Sequence, residues 1–172
     1  MNCADACIGR GRIAVEEKTK EFCFLNTPVG WLQIVADEEG ITAIRYLDQA
    51  PTEFMTPTLP HLKEAYKQLS EYFQGKRAAF SLPLKPEGTD FQKDVWTRLS
   101  EIPYGKTVSY KDLALSVGRP NASRAVGMAN NKNPLPIVIP CHRVIGTSGE
   151  LTGYASGLEV KEKLLKIEGF DA

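Results

Sequence analysis

Between Glu21 and Leu47 the apolar positions fall into three short runs, Phe22–Leu25, Trp31–Ala36 and Ile41–Leu47, separated by a Thr-Pro-Val-Gly turn and an acidic Glu-Glu-Gly turn. Short β-like runs bounded by turn residues predict strands, and connectors this brief predict an antiparallel meander. From His61 to Phe73 the period changes. Leu62, Ala65, Tyr66, Leu69, Tyr72 and Phe73 recur at helical spacing and offer one apolar face to lay against that sheet.

Gln74–Gly88 is rich in Pro, Gly and Lys, with a strand-like Ala79–Leu84, and marks a domain boundary. Beyond it the chain reads as helical. Phe91, Val95, Trp96 and Leu99 line one side of a helix that Thr89 or Asp90 caps and Pro103 ends. Ser109, with Asp112 three positions on, forms a capping box for the next helix, Tyr110–Val117. Gly118-Arg119-Pro120 then leads into a helix over about Ala122–Asn130, the spacing of a helix-turn-helix. Arg124 lies in the first turn of this last helix, where free N–H groups favour phosphate, and Ala125, Gly127 and Ala129 keep it thin. The pattern predicts an α/β protein: a loosely packed tail over 1–20, a small N-terminal α/β domain over 21–85 and a helical C-terminal domain over 86–172.

A chain of 172 residues buries enough surface to fold without staples. Its cysteines, Cys3, Cys7, Cys23 and Cys141, show no regular spacing, and there is neither a signal peptide nor a long apolar run, which points to the cytoplasm and away from membranes. Cys3, Cys7, Cys23 and His61 lack the paired spacing of a zinc knuckle, so no metal is expected. Net charge is zero, against a protein that coats nucleic acid indiscriminately, but charge is uneven along the chain. Lys93, Arg98, Lys106, Lys111, Arg119, Arg124, Lys132 and Arg143 face only Asp94, Glu101 and Asp112 over the same stretch, which suits a modest phosphate footprint.

The most informative stretch is Asn133-Pro134-Leu135-Pro136-Ile137-Val138-Ile139-Pro140-Cys141-His142-Arg143-Val144. Three prolines around an Ile-Val-Ile run predict a rigid, extended, buried segment that delivers Cys141 to a fixed place. With His142 and Arg143 following, the thiol is expected in a positive environment that lowers its pKa. Adjacent side chains of an extended chain face opposite ways, so His142 reaches the sulfur through a bend or a bridging water and needs a carboxylate to hold its tautomer. On the residues alone, a Cys-His hydrolase remains open beside an inert buried thiol.

Pro-Cys-His-Arg-Val, preceded by Asn-Pro-x-Pro-Ile-x-Ile and by Ser-Arg-Ala-Val-Gly, resembles the active-site signature of the O6-alkylguanine-DNA alkyltransferases. The likeness runs densely from Phe91 to Phe170, through Ile102-Pro103-Tyr104-Gly105, Ser109-Tyr110, Gly118-Arg119-Pro120, Thr152-Gly153-Tyr154-Ala155, Lys161 and Glu168-Gly169, and more loosely over 21–85. The resemblance implies a ribonuclease H-like N-terminal domain and a winged helix-turn-helix-like motif that places its second helix in the minor groove. It implies a monomer without cofactors, acting on double-stranded DNA that contains O6-alkylguanine. Cys141 would accept the alkyl group irreversibly, with His142 its water-mediated base, Glu168 orienting His142 and Asn133 bracing the turn. Tyr110 would steady the nucleotide and give a proton to the leaving guanine. Arg124 would enter the duplex in place of the flipped base, on a helix whose groove face includes Ser123, Ala125 and Gly127. Val144, Tyr154, Ala155 and Met128 would border the pocket, with the Met128 side chain expected to pack inward. A non-catalytic alkyl-base sensor of the same fold is the alternative, disfavoured because Cys141 is present.

Overall fold

The computed structural model describes residues 20–54 and 56–170. The tail expected over 1–20, with Cys3 and Cys7, falls almost wholly outside the described residues. Strands β1 (Glu21–Thr27), β2 (Gly30–Ala36) and β3 (Ile41–Leu47) form the expected meander in the order β1-β2-β3. The register pairs Cys23 with Ile34, Leu25 with Leu32 and Ile34 with Ile44, so one face of the sheet carries a buried apolar set. Helix α1 (Pro60–Phe73) covers that face with Leu62, Ala65, Leu69 and Tyr72, all fully buried. Each large apolar side chain so buried contributes about 1.5–3 kcal/mol. The helix starts with Pro60 in its first turn, where the missing N–H and fixed φ cost nothing.

The strand expected over Ala79–Leu84 shrinks to one bridge, Leu84 with Ile41. Pro83 has no N–H to donate, and both backbone groups of Ser81 are taken by the Gln68 side chain of α1, leaving no ladder to form. Cys23 is core, its thiol pushed up to about 12 by burial, and His61 Nε2 bonds the Asp37 carbonyl. No cluster able to hold a metal occurs among the described residues.

In the second half, α2 (Asp90–Ser100) and α3 (Tyr110–Ser116) both open on complete capping boxes, Thr89 with Gln92 and Ser109 with Asp112. Helix α4 (Ser123–Asn131) follows the Gly118-Arg119-Pro120 turn, and Trp96 of α2 bonds the Ala129 carbonyl at 2.9 Å. Two-residue strands β4 (Val108–Ser109) and β5 (Val144–Ile145) pair in parallel. That pairing ties the start of α3 to the chain just beyond Cys141. Helix α5 (Leu158–Ile167) closes the fold and ends at Glu168. No described helix is long and apolar enough to cross a membrane.

Candidate active site

Asn133–Val144 is not extended. The chain turns back on itself, with Pro136 bridging Ile139 and Ile137 at φ 76°, and Cys141–Arg143 forms a 3-10 turn. A positive φ at a β-branched residue costs on the order of 1–3 kcal/mol and persists only when its surroundings over-determine it. Here Asn133 does so from both ends, its Nδ2 donating to the Ile139 carbonyl (2.7 Å) and its Oδ1 accepting from Leu135 N (2.9 Å). Asn130 of α4 donates to the Cys141 carbonyl at 3.3 Å, and β3 grips the same turn through Ile44 N to the Pro134 carbonyl at 2.8 Å. Asn133 thus bonds both ends of the turn, and Asn130, which also bonds it, is not among the residues expected from sequence.

The bend changes what His142 and Arg143 do. Both turn away from solvent onto Glu168, which also lies buried. The carboxylate accepts from His142 Nε2 (2.7 Å), Arg143 Nε (2.8 Å) and Nη2 (2.9 Å), the Tyr72 hydroxyl (2.8 Å) and Gly105 N (3.1 Å). Burial alone raises a carboxyl pKa, but the hydrogen bonds from His142 and Arg143 and their charge outweigh it and bring Glu168 down to about 2. An ionised carboxylate only accepts, so Nε2 carries the imidazole proton. Burial holds His142 below its ordinary value despite Glu168, leaving Nδ1 as a lone pair with no partner among the described residues. Arg143 therefore neutralises Glu168 rather than the thiol. The depressed Cys141 pKa expected from sequence is reversed: burial pushes the thiol up, against hydrogen bonds from Asn133 and Tyr154 and the Lys161 charge. The sulfur is held as a thiol.

Cys141 opens onto a cavity of about 180 Å³ whose walls include Ile44 and Tyr46 of β3, Asn130, Asn133, Pro136, Tyr154 and Ala155. Tyr110, the first residue of α3, donates to the carbonyls of Thr152 and Gly153 at 3.2 and 3.1 Å. Gly153 has φ 56° and an added Cβ would meet the Tyr110 oxygen at 3.0 Å, so only glycine suits this approach. Lys161, fully buried in α5, ties the same loop to β5 by donating to the Thr152 carbonyl (2.7 Å) and the Val144 carbonyl. Burial pulls its pKa down to about 8. Sequence reading placed Lys161 in the family pattern without a role; its full burial and two carbonyl bonds mark it as the clamp of the pocket loop.

Two expected pocket residues lie elsewhere. Val144 is buried with its carbonyl turned to Lys161, and Met128 is 63% exposed on α4, because Val126, Ala129 and Asn130 hold the inward face of that helix. Arg124 is exposed in the first turn of α4, beside Ser123 and Ala125. Gly127 faces the Tyr110 ring, where a Cβ would come within 3.6 Å. Cys141, Asn133, Tyr154 and Ala155 therefore share one cavity, His142 and Glu168 stand behind it, and Tyr110 links its loop to α4.

Residues 90–170 match the family model described as "6-O-methylguanine DNA methyltransferase, DNA binding domain", and residues 11–86 match that of the "6-O-methylguanine DNA methyltransferase, ribonuclease-like domain". The methylated-DNA–protein-cysteine methyltransferase of Methanosarcina barkeri is 50% identical over 149 residues, 84% of this chain and 94% of the relative. The constitutive enzyme of that name from Bacillus subtilis is 50% identical over 152 residues, 83% and 92% of the two chains. Among solved structures, Mycobacterium tuberculosis OGT in complex with DNA superposes with a TM-score of 0.77 at 43% identity, covering 86% of this chain and 91% of that one. Matches of this extent across both halves mean that the chain belongs to the O6-alkylguanine-DNA alkyltransferase family, the methylated-DNA–protein-cysteine methyltransferases.

Proposed function

We propose that this protein repairs O6-alkylguanine in double-stranded DNA by transferring the alkyl group to Cys141, once per chain. The observation that carries the reading is a thiol at the wall of a small cavity, backed by a buried imidazole whose free nitrogen is set by an ionised Glu168. His142 Nδ1 takes the thiol proton through a water molecule. The sulfur anion attacks the alkyl carbon, the S–C bond forms as the C–O6 bond breaks, and the electron pair passes to the guanine. Tyr110 exchanges its carbonyl partners for the base and supplies the proton that neutralises it, to be replenished from water. A thioether has no carbonyl for water to attack, so the chain does not turn over.

A base in a duplex is out of reach until it is flipped, at a cost of a few kcal/mol. Exposed Arg124 on α4 is the side chain that fills the gap, with Ser123, Ala125 and Gly127 allowing the helix to approach the minor groove. Residues 86–172 then carry the reaction and 21–85 support it. A cytoplasmic location follows from the need to keep the acceptor thiol reduced.

Incubation with a duplex oligonucleotide containing O6-methylguanine should add one methyl per chain, located on Cys141 by peptide mass. No added mass with the DNA still bound would make the protein a sensor instead. Arg124→Ala should slow transfer from that duplex by roughly 10–100-fold, as expected for losing a few kcal/mol of flipping support, while leaving reaction with free O6-benzylguanine within about twofold. Equal slowing of both would remove Arg124 from base flipping.

A further inference from the structure

The cavity beside Cys141 is closed on one side by the N-terminal sheet. Tyr46 of β3 reaches across to the pocket loop, its hydroxyl 3.0 Å from that of Tyr154, with the two rings edge to face at 78° and 6.5 Å between centroids. Tyr46 is not free to swing. It pairs with Leu32 in the sheet, and two residues earlier Ile44 N is bonded to the Pro134 carbonyl of the acceptor turn. Both phenols are held protonated by burial, so the bridge is a neutral hydroxyl pair that neither gains nor loses charge near neutral pH.

The geometry points to Tyr46 as the residue that sets which alkyl groups this protein accepts. In the transfer proposed above, on which this inference rests, the carbon bonded to O6 must meet the sulfur of Cys141. Any atoms beyond that carbon occupy the same cavity, whose walls include Pro136, Tyr154 and Tyr46. At about 180 Å³ the cavity is small beside the roughly 300–1,000 Å³ of ordinary ligand pockets. A methyl group leaves the Tyr46–Tyr154 bridge untouched. An aryl group must either part the two hydroxyls or displace β3 from the acceptor turn, and a close-packed wall resists both. Tyr46 is a specificity-determining residue contributed by the domain that does not carry the nucleophile.

The test compares single-turnover rates on duplexes identical except for O6-methylguanine or O6-benzylguanine, using the full chain and its Tyr46→Leu and Tyr46→Phe variants. Tyr46→Leu should raise the benzyl-to-methyl rate ratio on the order of tenfold, the scale at which pocket contacts discriminate. Tyr46→Phe keeps the ring but lacks the bridge and should raise the ratio by a smaller factor. Circular dichroism and Tm report that the variants fold, and the methyl rate of each variant is the reference against which its benzyl rate is read. A ratio unchanged within about twofold in both variants, or both rates falling together, overturns the assignment. Failure of the unsubstituted chain to transfer methyl at all is a different result, which sinks the alkyl-transfer reading and this inference with it.

Discussion

A Cys141→Ala chain should bind a duplex containing O6-methylguanine yet add no methyl to itself, its transfer rate falling by at least about 10⁴-fold, the scale of loss when an enzyme's nucleophile is removed. The size of the effect follows from what else borders the cavity. Tyr46 and Tyr154 are phenols that burial keeps protonated, Ser156 carries a neutral hydroxyl that is a poor nucleophile at a saturated carbon, and Arg45, the asparagines, Pro136 and Ala155 offer none. Lys161, whose charge acts on Cys141, has its ammonium group committed to the Thr152 and Val144 carbonyls. The substitution removes one sulfur from a site that is 5% exposed, costing on the order of 1 kcal/mol, too little to unfold the chain. Intact mass after incubation with excess duplex, alongside a binding titration, checks both halves of the expectation. Methyl appearing on the variant at the ordinary rate would mean that Cys141 is not the acceptor.

Much of this arrangement was legible in the sequence wherever local physics decides it. Short apolar runs and tight turns predict the meander, Thr89 or Asp90 is expected to cap α2 and Ser109 with Asp112 to cap α3, and the caps form through bonds spanning three residues. Such features need no partner from elsewhere in the chain. The turn over Asn133–Val144 was misread because it does. Prolines favour an extended chain, but Asn133, Asn130 and Ile44 bend it through contacts made only in the folded protein, and they hold Ile137 at a φ that no β-branched residue adopts by itself. The thiol pKa was misjudged for the same reason. Neighbours in sequence supplied the positive charge, whereas the fold turns Arg143 onto Glu168 and buries Cys141.

Met128 is a different error. Two residues on from Val126 lies on the opposite side of a helix, so its exposure was there to be read, and the apolar character of the side chain outweighed the phase. Tyr72 and Tyr46 were hidden by their own success as apolar residues. Each fits the periodic pattern of its element, and only the hydroxyl at the far end of the ring, bonded to Glu168 or to Tyr154, joins the site.

Replacing Glu168 by Gln should cost stability and activity together. Arg143 is 6% exposed and would lose its counter-charge, and breaking one side of a buried ion pair costs about 3–5 kcal/mol, which in a chain of this length lowers Tm by roughly 10 °C. An amide also presents both a donor and an acceptor, so Nε2 of His142 is no longer required to carry the proton and Nδ1 is no longer reserved as the base. The pH dependence separates this network from packing in general. Glu168 titrates at about 2 in the fold against its ordinary 4.5, so its contribution, roughly 3 kcal/mol, is present above 4.5 and is lost as pH falls towards 2. His142 acts in the same sense: held neutral by burial, it takes up a proton more readily unfolded, so stability also falls as pH drops below 6.5. Denaturant unfolding of the unsubstituted protein should therefore weaken steadily on acidification, most steeply below pH 4.5. In Glu168→Gln the steep limb below pH 4.5 should flatten, because the group that titrates there is gone. Tyr72→Phe serves as the milder partner if the first variant folds poorly: it deletes one of the five hydrogen bonds to the carboxylate, costing about 1 kcal/mol, and keeps the acid limb. Parallel acid curves for the Glu168→Gln and unsubstituted chains would show that the buried carboxylate does not hold the turn at Cys141–Arg143 in place.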